Sequence, residues 1–178
     1  MSNAIIKQKI RTIPNFPKEG IIFFDITTLL SDAEGFKASI DDFYNRYKDK
    51  KIDAVVGIDS RGFIFGGALA YLLGVSFVPI RKKGKLPHLT ICEKYDLEYG
   101  SAEVEIHKDS LKKGNRVVII DDLIATAGTL KAAIKLVKKL GAEIVECAVI
   151  IELPDLKGRE KITQEGCKLY SQTEFEGD

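Results

Sequence analysis

Apolar residues in this chain follow two rhythms, short unbroken runs and recurrences every third or fourth position, with glycines and charges marking where one gives way to the other. Phe36, Ile40, Phe43, Tyr44 and Tyr47 recur at helical spacing behind Ser31 and Glu34, which read as a capping box, so a helix is predicted over about 33–48. Ala54 to Ile58 is a continuous apolar run of the kind buried on both faces of a sheet, and it ends in Asp59-Ser60-Arg61-Gly62. A helix over 63–73 closed by Gly74 comes next, then a strand from Val75 to Ile80, whose exit is crowded by Arg81, Lys82, Lys83 and Lys85. Between Leu86 and about Gly100 the periodicity fades, and a long loop with some local strand is expected.

The clearest central strand is Arg116 to Ile120, which runs into Asp121-Asp122. Beyond it Leu130, Ala133, Ile134, Val137 and Leu140 form one helical face, while Lys131, Lys135, Lys138 and Lys139 read as a solvated one, and Gly141 stops the helix. Ile144 to Ile151 supplies another strand, and the tail from Pro154 has few periodic signals. Strands alternating with helices imply an α/β fold with an open, mostly parallel twisted sheet flanked by helices, in one domain spanning 1–178. Such sheets bind ligands beyond the carboxyl ends of their strands. The segments 59–61, 81–85 and 121–129 each follow a predicted strand, so they should converge on one edge.

Composition narrows the partners. With 45% apolar and 30% charged residues the chain is of ordinary globular type. Its 27 basic and 26 acidic residues create no net field to attract nucleic acid or an anionic membrane, so any anion must be held by a local cluster. No apolar stretch is long enough to span a bilayer and the N-terminus shows no signal-peptide pattern, which makes the cytoplasm the expected location. Cys92, Cys147 and Cys167 have no metal-type spacing and are expected as reduced thiols, and His88 and His107 are expected as loop or surface residues.

The segment with the most chemistry in it is Val117 to Thr129. A buried strand delivers Asp121 and Asp122, then Ala125, Thr126, Ala127, Gly128 and Thr129 open a helix. Small side chains let backbone N–H groups approach an anion, the threonine hydroxyls add donors, and the helix N-terminus favours negative charge. The carboxylates would repel a bare phosphate. A ribose diol suits them, as does a magnesium ion held directly or through water; a plain strand-to-helix connection with an aspartate cap is the structural alternative.

Taken whole, this thirteen-residue string resembles the phosphoribosyl-pyrophosphate signature of the type I phosphoribosyltransferases. The likeness to the adenine-using family continues through segments 10–17, 20–23 with 25–27, 57–63, 81–87, 97–100 and 156–161. It implies a transferase that joins adenine to phosphoribosyl pyrophosphate, giving AMP and pyrophosphate, with Mg2+ bound mainly through the substrate and a homodimeric assembly. It further implies a base-recognising N-terminal hood over about 1–32 and a flexible catalytic lid over about 86–103. Ser60 and Arg61 would sit in a pyrophosphate loop, with Arg81, Lys82 and Lys85 as further pyrophosphate ligands, the arginine reaching across the dimer interface in relatives. Asp121, Asp122 and the loop from Ala125 through Thr126, Ala127 and Gly128 to Thr129 would hold the ribose and its phosphate. Glu98 would be the catalytic acid/base and Tyr99 the aromatic residue of the lid. Phe23 and Leu153 would sandwich the purine, with Ile22 offering main-chain polar groups. Phe24 departs from a position that is commonly basic in the family, and Ala127 from a frequent glycine; the loop is expected to close provided position 127 does not need a positive φ. Transfer to another base (hypoxanthine, guanine, xanthine or orotate) is the alternative, and a non-catalytic sensor of phosphoribosyl pyrophosphate a more distant one.

Overall fold

A computed structural model describes residues 2–96 and 100–176. In chain order the elements are α1 (Ser2–Gln8), β1 (Arg11–Pro14), β2 (Ile22–Asp25), α2 (Thr27–Ser31), α3 (Ala33–Tyr47), β3 (Ala54–Ile58), α4 (Arg61–Leu73) and β4 (Ser76–Lys82). There follow β5 (Thr90–Asp96), β6 (Ser101–His107), β7 (Arg116–Ile124), α5 (Gly128–Lys139), β8 (Glu143–Glu152), a 3-10 turn at Pro154–Leu156, α6 (Gly158–Gln164) and β9 (Leu169–Glu174).

Seven strands form the main sheet in the order β5-β6-β4-β3-β7-β8-β9. Strands β4, β3, β7, β8 and β9 run parallel, and β6 and β5 add an antiparallel edge. The period of two along each central strand divides the interior into two cores. Val117 and Ile119 pack with Val56, Ile58 and the apolar faces of α5 and α6 (Leu130, Ile134, Val137, Ile162). Val118 and Ile120 point the other way, to Val55, Ala148 and Ile150 and to Phe43 of α3 and Phe65 and Leu69 of α4. That two-sided cover is why these strands read as continuous apolar runs. No helix among the described residues is long and apolar enough to cross a membrane.

The expected fold class and its central elements are present, and several local readings need correction. Residue 32, not 31, caps α3: Asp32 accepts a hydrogen bond from the Gly35 amide at 2.8 Å, while the Ser31 hydroxyl donates to the Thr28 carbonyl. The expected loop after Leu86 is largely the β5-β6 hairpin. The polar tail contains α6 and β9. His107 lies in β6 with a buried Nε2 that has no hydrogen-bond partner, and its ring stands 6.2 Å from that of His88, so neither a loop nor a free surface describes it. The N-terminal segment is a small β1-β2 hairpin with α1 and α2, and α1 docks on α3 through Ile6 and the core around it.

Candidate active site

Parallel register sets the site. Because β3 lies between β4 and β7, the segments that leave their carboxyl ends emerge side by side. They enclose a hollow of about 490 Å3 lined by Asp59, Ser60, Arg61, Arg81, Lys82, Lys85, Asp121, Asp122 and Thr129, with Ile58, Tyr95, Val104 and Leu123 completing its wall. That volume lies within the roughly 300–1,000 Å3 of small-molecule sites, and its charged lining suits a polyanion better than an apolar ligand. The convergence expected of 59–61, 81–85 and 121–129 is what the structure displays.

In the loop after β3, Asp59-Ser60 is a cis peptide and leads into the N-terminus of α4. Arg61 turns its Nε onto Asp122 Oδ2. Burial disfavours its charge, but the hydrogen bond and the negative charge of Asp122 outweigh this, so its pKa is raised and it stays cationic. Gly62 brings α4 against the end of β7: a Cβ there would stand 2.7 Å from the Ile120 carbonyl oxygen and 3.2 Å from the Asp121 Cα. After β4, Arg81 donates to Asp59 at 3.1 Å and to the Lys85 carbonyl at 3.3 Å. The 83–86 turn is held from below by Glu105 of β6, a buried carboxylate that accepts the Lys85 and Leu86 amides at 2.9 Å each and the Thr90 hydroxyl at 3.2 Å. Burial opposes the Glu105 charge, and these donors win, holding its pKa below the usual value.

Strand β7 runs further than expected, through the two aspartates to Ile124. Asp121 accepts the Asp122 amide at 2.9 Å. Its pKa stands well above the ordinary value, because burial and then the neighbouring charge of Asp122 penalise its ionised form. Neither aspartate caps α5; that position belongs to Ala127, at φ 68° and ψ 9°, with no side-chain cap. So position 127 does take the positive φ on which the expectation of easy closure depended. The loop forms with an alanine held in the left-handed region, where an L side chain is strained. Residues 123–130 line a smaller adjoining pocket together with Asp121, and the Thr126 carbonyl accepts Lys161 Nζ at 3.2 Å. Gly158 lets α6 approach this loop, since a Cβ there would collide with the Ala125 carbonyl oxygen.

Other assigned residues lie elsewhere. Ile22 and Leu153 pack against the second core, and the Phe23 ring meets Phe16 edge-on at 5.2 Å; none of the three lines the hollow. Phe24 is buried against Phe175, 4.4 Å between ring centroids, so it serves the core and does not stand in for a basic ligand. Glu98 and Tyr99 lie outside the described residues. Asp59 and Leu123 belong to segments expected at the site but had no role of their own, and Tyr95 and Glu105 had none at all. Asp59 could have been suspected as a counter-charge for the basic turn, since it accepts from Arg81, whereas nothing in the sequence points Glu105 at the backbone of that turn or places Tyr95 at the hollow.

A doubly covered parallel sheet with cations, paired carboxylates and a small-residue loop at one edge defines an enzyme of phosphorylated sugars or nucleotides. The phosphoribosyl transferase domain model matches residues 26–174. The adenine phosphoribosyltransferase of Desulfosudis oleivorans is 60% identical over 173 residues, covering 97% of this chain and 99% of its own. Among solved structures, adenine phosphoribosyltransferase from Saccharomyces cerevisiae, complexed with an imino-altritol bisphosphate and adenine, superposes with a TM-score of 0.92 at 40% identity, covering 97% and 98% of the two chains. The enzyme from Trypanosoma brucei, in complex with AMP, pyrophosphate and ribose-5-phosphate, gives 0.89 at 30% identity, covering 97% of this chain and 79% of that one. The chain belongs to the phosphoribosyltransferase family and, within it, with the adenine phosphoribosyltransferases.

Proposed function

We infer that this chain transfers the phosphoribosyl group of phosphoribosyl pyrophosphate to adenine, giving AMP and pyrophosphate, a purine salvage reaction. The observation that carries this reading is the meeting of Arg61, Arg81, Lys82 and Lys85 with Asp121, Asp122 and Thr129 around one hollow, supported by relatives of that activity at 60% identity. A purine nitrogen forms a bond to the anomeric carbon as the bond to pyrophosphate breaks. Positive charge grows on the ribose and negative charge on the leaving group. The two aspartates face the first, and the arginines and lysines the second. Main-chain N–H groups of the 125–129 loop at the start of α5 receive the 5-phosphate. The resemblance assigns Glu98 the proton that the purine loses and Tyr99 the aromatic part of a lid, whose use would be to keep water from an activated ribosyl centre.

Magnesium enters this reading as part of the substrate. Among the described residues no group of three or more acidic, histidine or cysteine side chains could hold a metal, and Asp122 is already engaged by Arg61. That donor set fits an ion brought in by the substrate, to which Asp121 and Asp122 would contribute directly or through water. When bound it neutralises charge on the leaving group. A homodimer is supported by an exposed apolar strip on α4, where Ile64, Tyr71 and Leu72 are open and Tyr71 is 85% exposed. A cytoplasmic setting is supported by three free cysteines.

The deciding assay mixes purified protein, magnesium and phosphoribosyl pyrophosphate with each of adenine, hypoxanthine, guanine, xanthine and orotate, and separates the nucleotides formed. AMP from adenine is expected; a different nucleotide would move the chain to another base, and none at all would sink the reading. Glu98→Ala is expected to lower turnover by roughly 10²–10⁴-fold, the scale of a lost acid/base, while AMP binding measured by calorimetry changes little. Equal turnover would remove Glu98 from the mechanism.

A further inference from the structure

The β5-β6 hairpin reaches past the sheet that carries it. Only Arg81 and Lys82 of β4 pair with β6, opposite Glu105 and Val104, whereas β5 and β6 pair with each other over seven positions as far as Asp96 and Ser101. Past those two residues β6 is held by Lys83, whose amide donates to the Glu103 carbonyl at 3.1 Å and whose ammonium meets the Glu103 carboxylate at 2.6 Å, and the β5 side of the hairpin rests on α5. Alternate residues of β5, namely Ile91, Glu93 and Tyr95, make that contact. Ile91 and Tyr95 pack against the core that α5 covers. Glu93 stands between Lys135 and Lys139, one helical turn apart, with Oε1 3.2 Å from the first ammonium and Oε2 2.6 Å from the second. Its side chain is 15% exposed, while those of Lys135 and Lys139 are 47% and 53% exposed, so a sheltered carboxylate is reached by two ammonium groups from the solvent side. The hydrogen bond from Lys139 outweighs burial and, with Lys135, keeps Glu93 ionised, its pKa below the usual carboxylate value. These two lysines are exposed, as a solvated face requires, and from that face they also supply the helix side of a fastening.

Two residues beyond the fastening lies Tyr95. It lines the hollow, and it stands so close to the phosphate loop that a Cβ on Gly128 would be 3.2 Å from its ring and 3.3 Å from the Asp96 carbonyl oxygen. We propose that Glu93 is a positioning residue: by clasping the hairpin to α5 through Lys135 and Lys139, it holds Tyr95 over Gly128 and Thr129 and so sets the affinity of the phosphate loop for the phosphoribosyl substrate. This rests on the phosphoribosyl-transfer reading. Glu93 touches neither substrate nor reacting atoms, so its effect belongs in binding and not in the chemical step.

The test compares wild type with Glu93→Gln, which keeps the shape and removes the charge. The expected result is a KM for phosphoribosyl pyrophosphate raised roughly tenfold, the scale of one lost charge-assisted contact, with kcat changed by less than about twofold. Amide hydrogen exchange should quicken in segments 91–96 and 101–105 and stay unchanged in β3, β7 and β8. Lys135→Met with Lys139→Met should reproduce both effects from the helix side, and the reversed arrangement, Glu93→Lys with Lys135→Glu and Lys139→Glu, should recover most of the affinity. An unchanged KM together with unchanged exchange would overturn the clasp, as would a fall in kcat with KM untouched. Absence of AMP formation by wild type would instead count against the transfer reading, and the exchange comparison would still decide whether Glu93 fastens the hairpin.

Discussion

In the proposed reading, the three segments at the strand ends meet anions in two opposite ways. The loop after β3 and the turn after β4 carry their cations as side chains, and each arginine is already paired, Arg61 with Asp122 and Arg81 with Asp59. The loop after β7 brings no charged side chain of its own between Ala125 and Thr129 and offers backbone donors, with Ala127 bent into a positive φ. A polyanion arriving at the first must exchange places with carboxylates. At the second it would meet main-chain groups, with no acidic side chain among residues 125–129 to displace. Reversible, competed contact suits a leaving group that must depart, and a fixed cradle suits a phosphate that stays on the sugar through the reaction.

The sharpest way to break the comparison is to separate the loops physically. Gly62 is where they touch, and Gly62→Ala puts a methyl group 2.7 Å from the Ile120 carbonyl oxygen, a backbone atom that cannot swing aside. Relief requires moving α4 away from β7, at a cost of about 3 kcal/mol by the scale of overpacked interiors. The melting midpoint should fall by roughly 6–12 °C for a chain of this size. Arg61 and Asp122 should also lose their contact, giving a much weakened response to pyrophosphate in thermal-shift titration. A variant with wild-type melting and wild-type pyrophosphate response would show that the two loops are independent.

Asp121 tests whether the acidic side of the hollow is kept for function at the expense of stability. Its folded pKa lies above the unfolded one, so across the interval between them the folded state holds a proton that the unfolded state has released. Stability is therefore lost as pH rises through that interval, and the loss persists above it. Asp121→Asn keeps an oxygen to accept the Asp122 amide and removes the unfavourable charge. At neutral pH the variant should have a higher urea midpoint than wild type, and the difference should vanish as pH falls to the ordinary aspartate range. Use of phosphoribosyl pyrophosphate should drop by roughly 10²-fold, the scale of one removed electrostatic contact at a reacting centre. A variant less stable than wild type at neutral pH would show that the charge is fully compensated.

Physical causes separate what the sequence revealed from what it hid. β3, β7 and β8 were legible because both faces of each strand are covered, which demands consecutive apolar residues. The convergence of the three loops followed from parallel connection alone. β9 was illegible because polar side chains fill its inward positions: Gln172 bonds Ser39 and Asp42, and Thr173 bonds the Ile150 carbonyl, so burial leaves no apolar rhythm. The β5-β6 hairpin was masked in the same way by Glu93 and Glu105, carboxylates turned inward to meet lysines and backbone amides. The motif 117–129 disclosed its residues but not its backbone: the glycine common at position 127 in the family hinted at a positive φ, and the alanine that stands there takes one all the same.

That alanine supplies the finest test. An L residue in the left-handed region costs about 1–2 kcal/mol, which glycine does not incur. Against this, Ala127→Gly loses a buried methyl group worth about 0.8 kcal/mol and loosens the unfolded chain. The net gain should be under about 1 kcal/mol, raising the melting midpoint by roughly 1–3 °C. The sign becomes unambiguous in the paired variant Ala127→Val, where a β-branched side chain in the same conformation should lower the midpoint by more than glycine raises it. If the loop after β7 is the pre-aimed cradle, glycine at 127 should leave the KM for phosphoribosyl pyrophosphate within about twofold, and valine should raise it while hardly altering pyrophosphate binding. Equal losses at both loops would mean that the strain at 127 is shared with Arg61 and Asp122, and the distinction between a competed loop and a fixed one would fail.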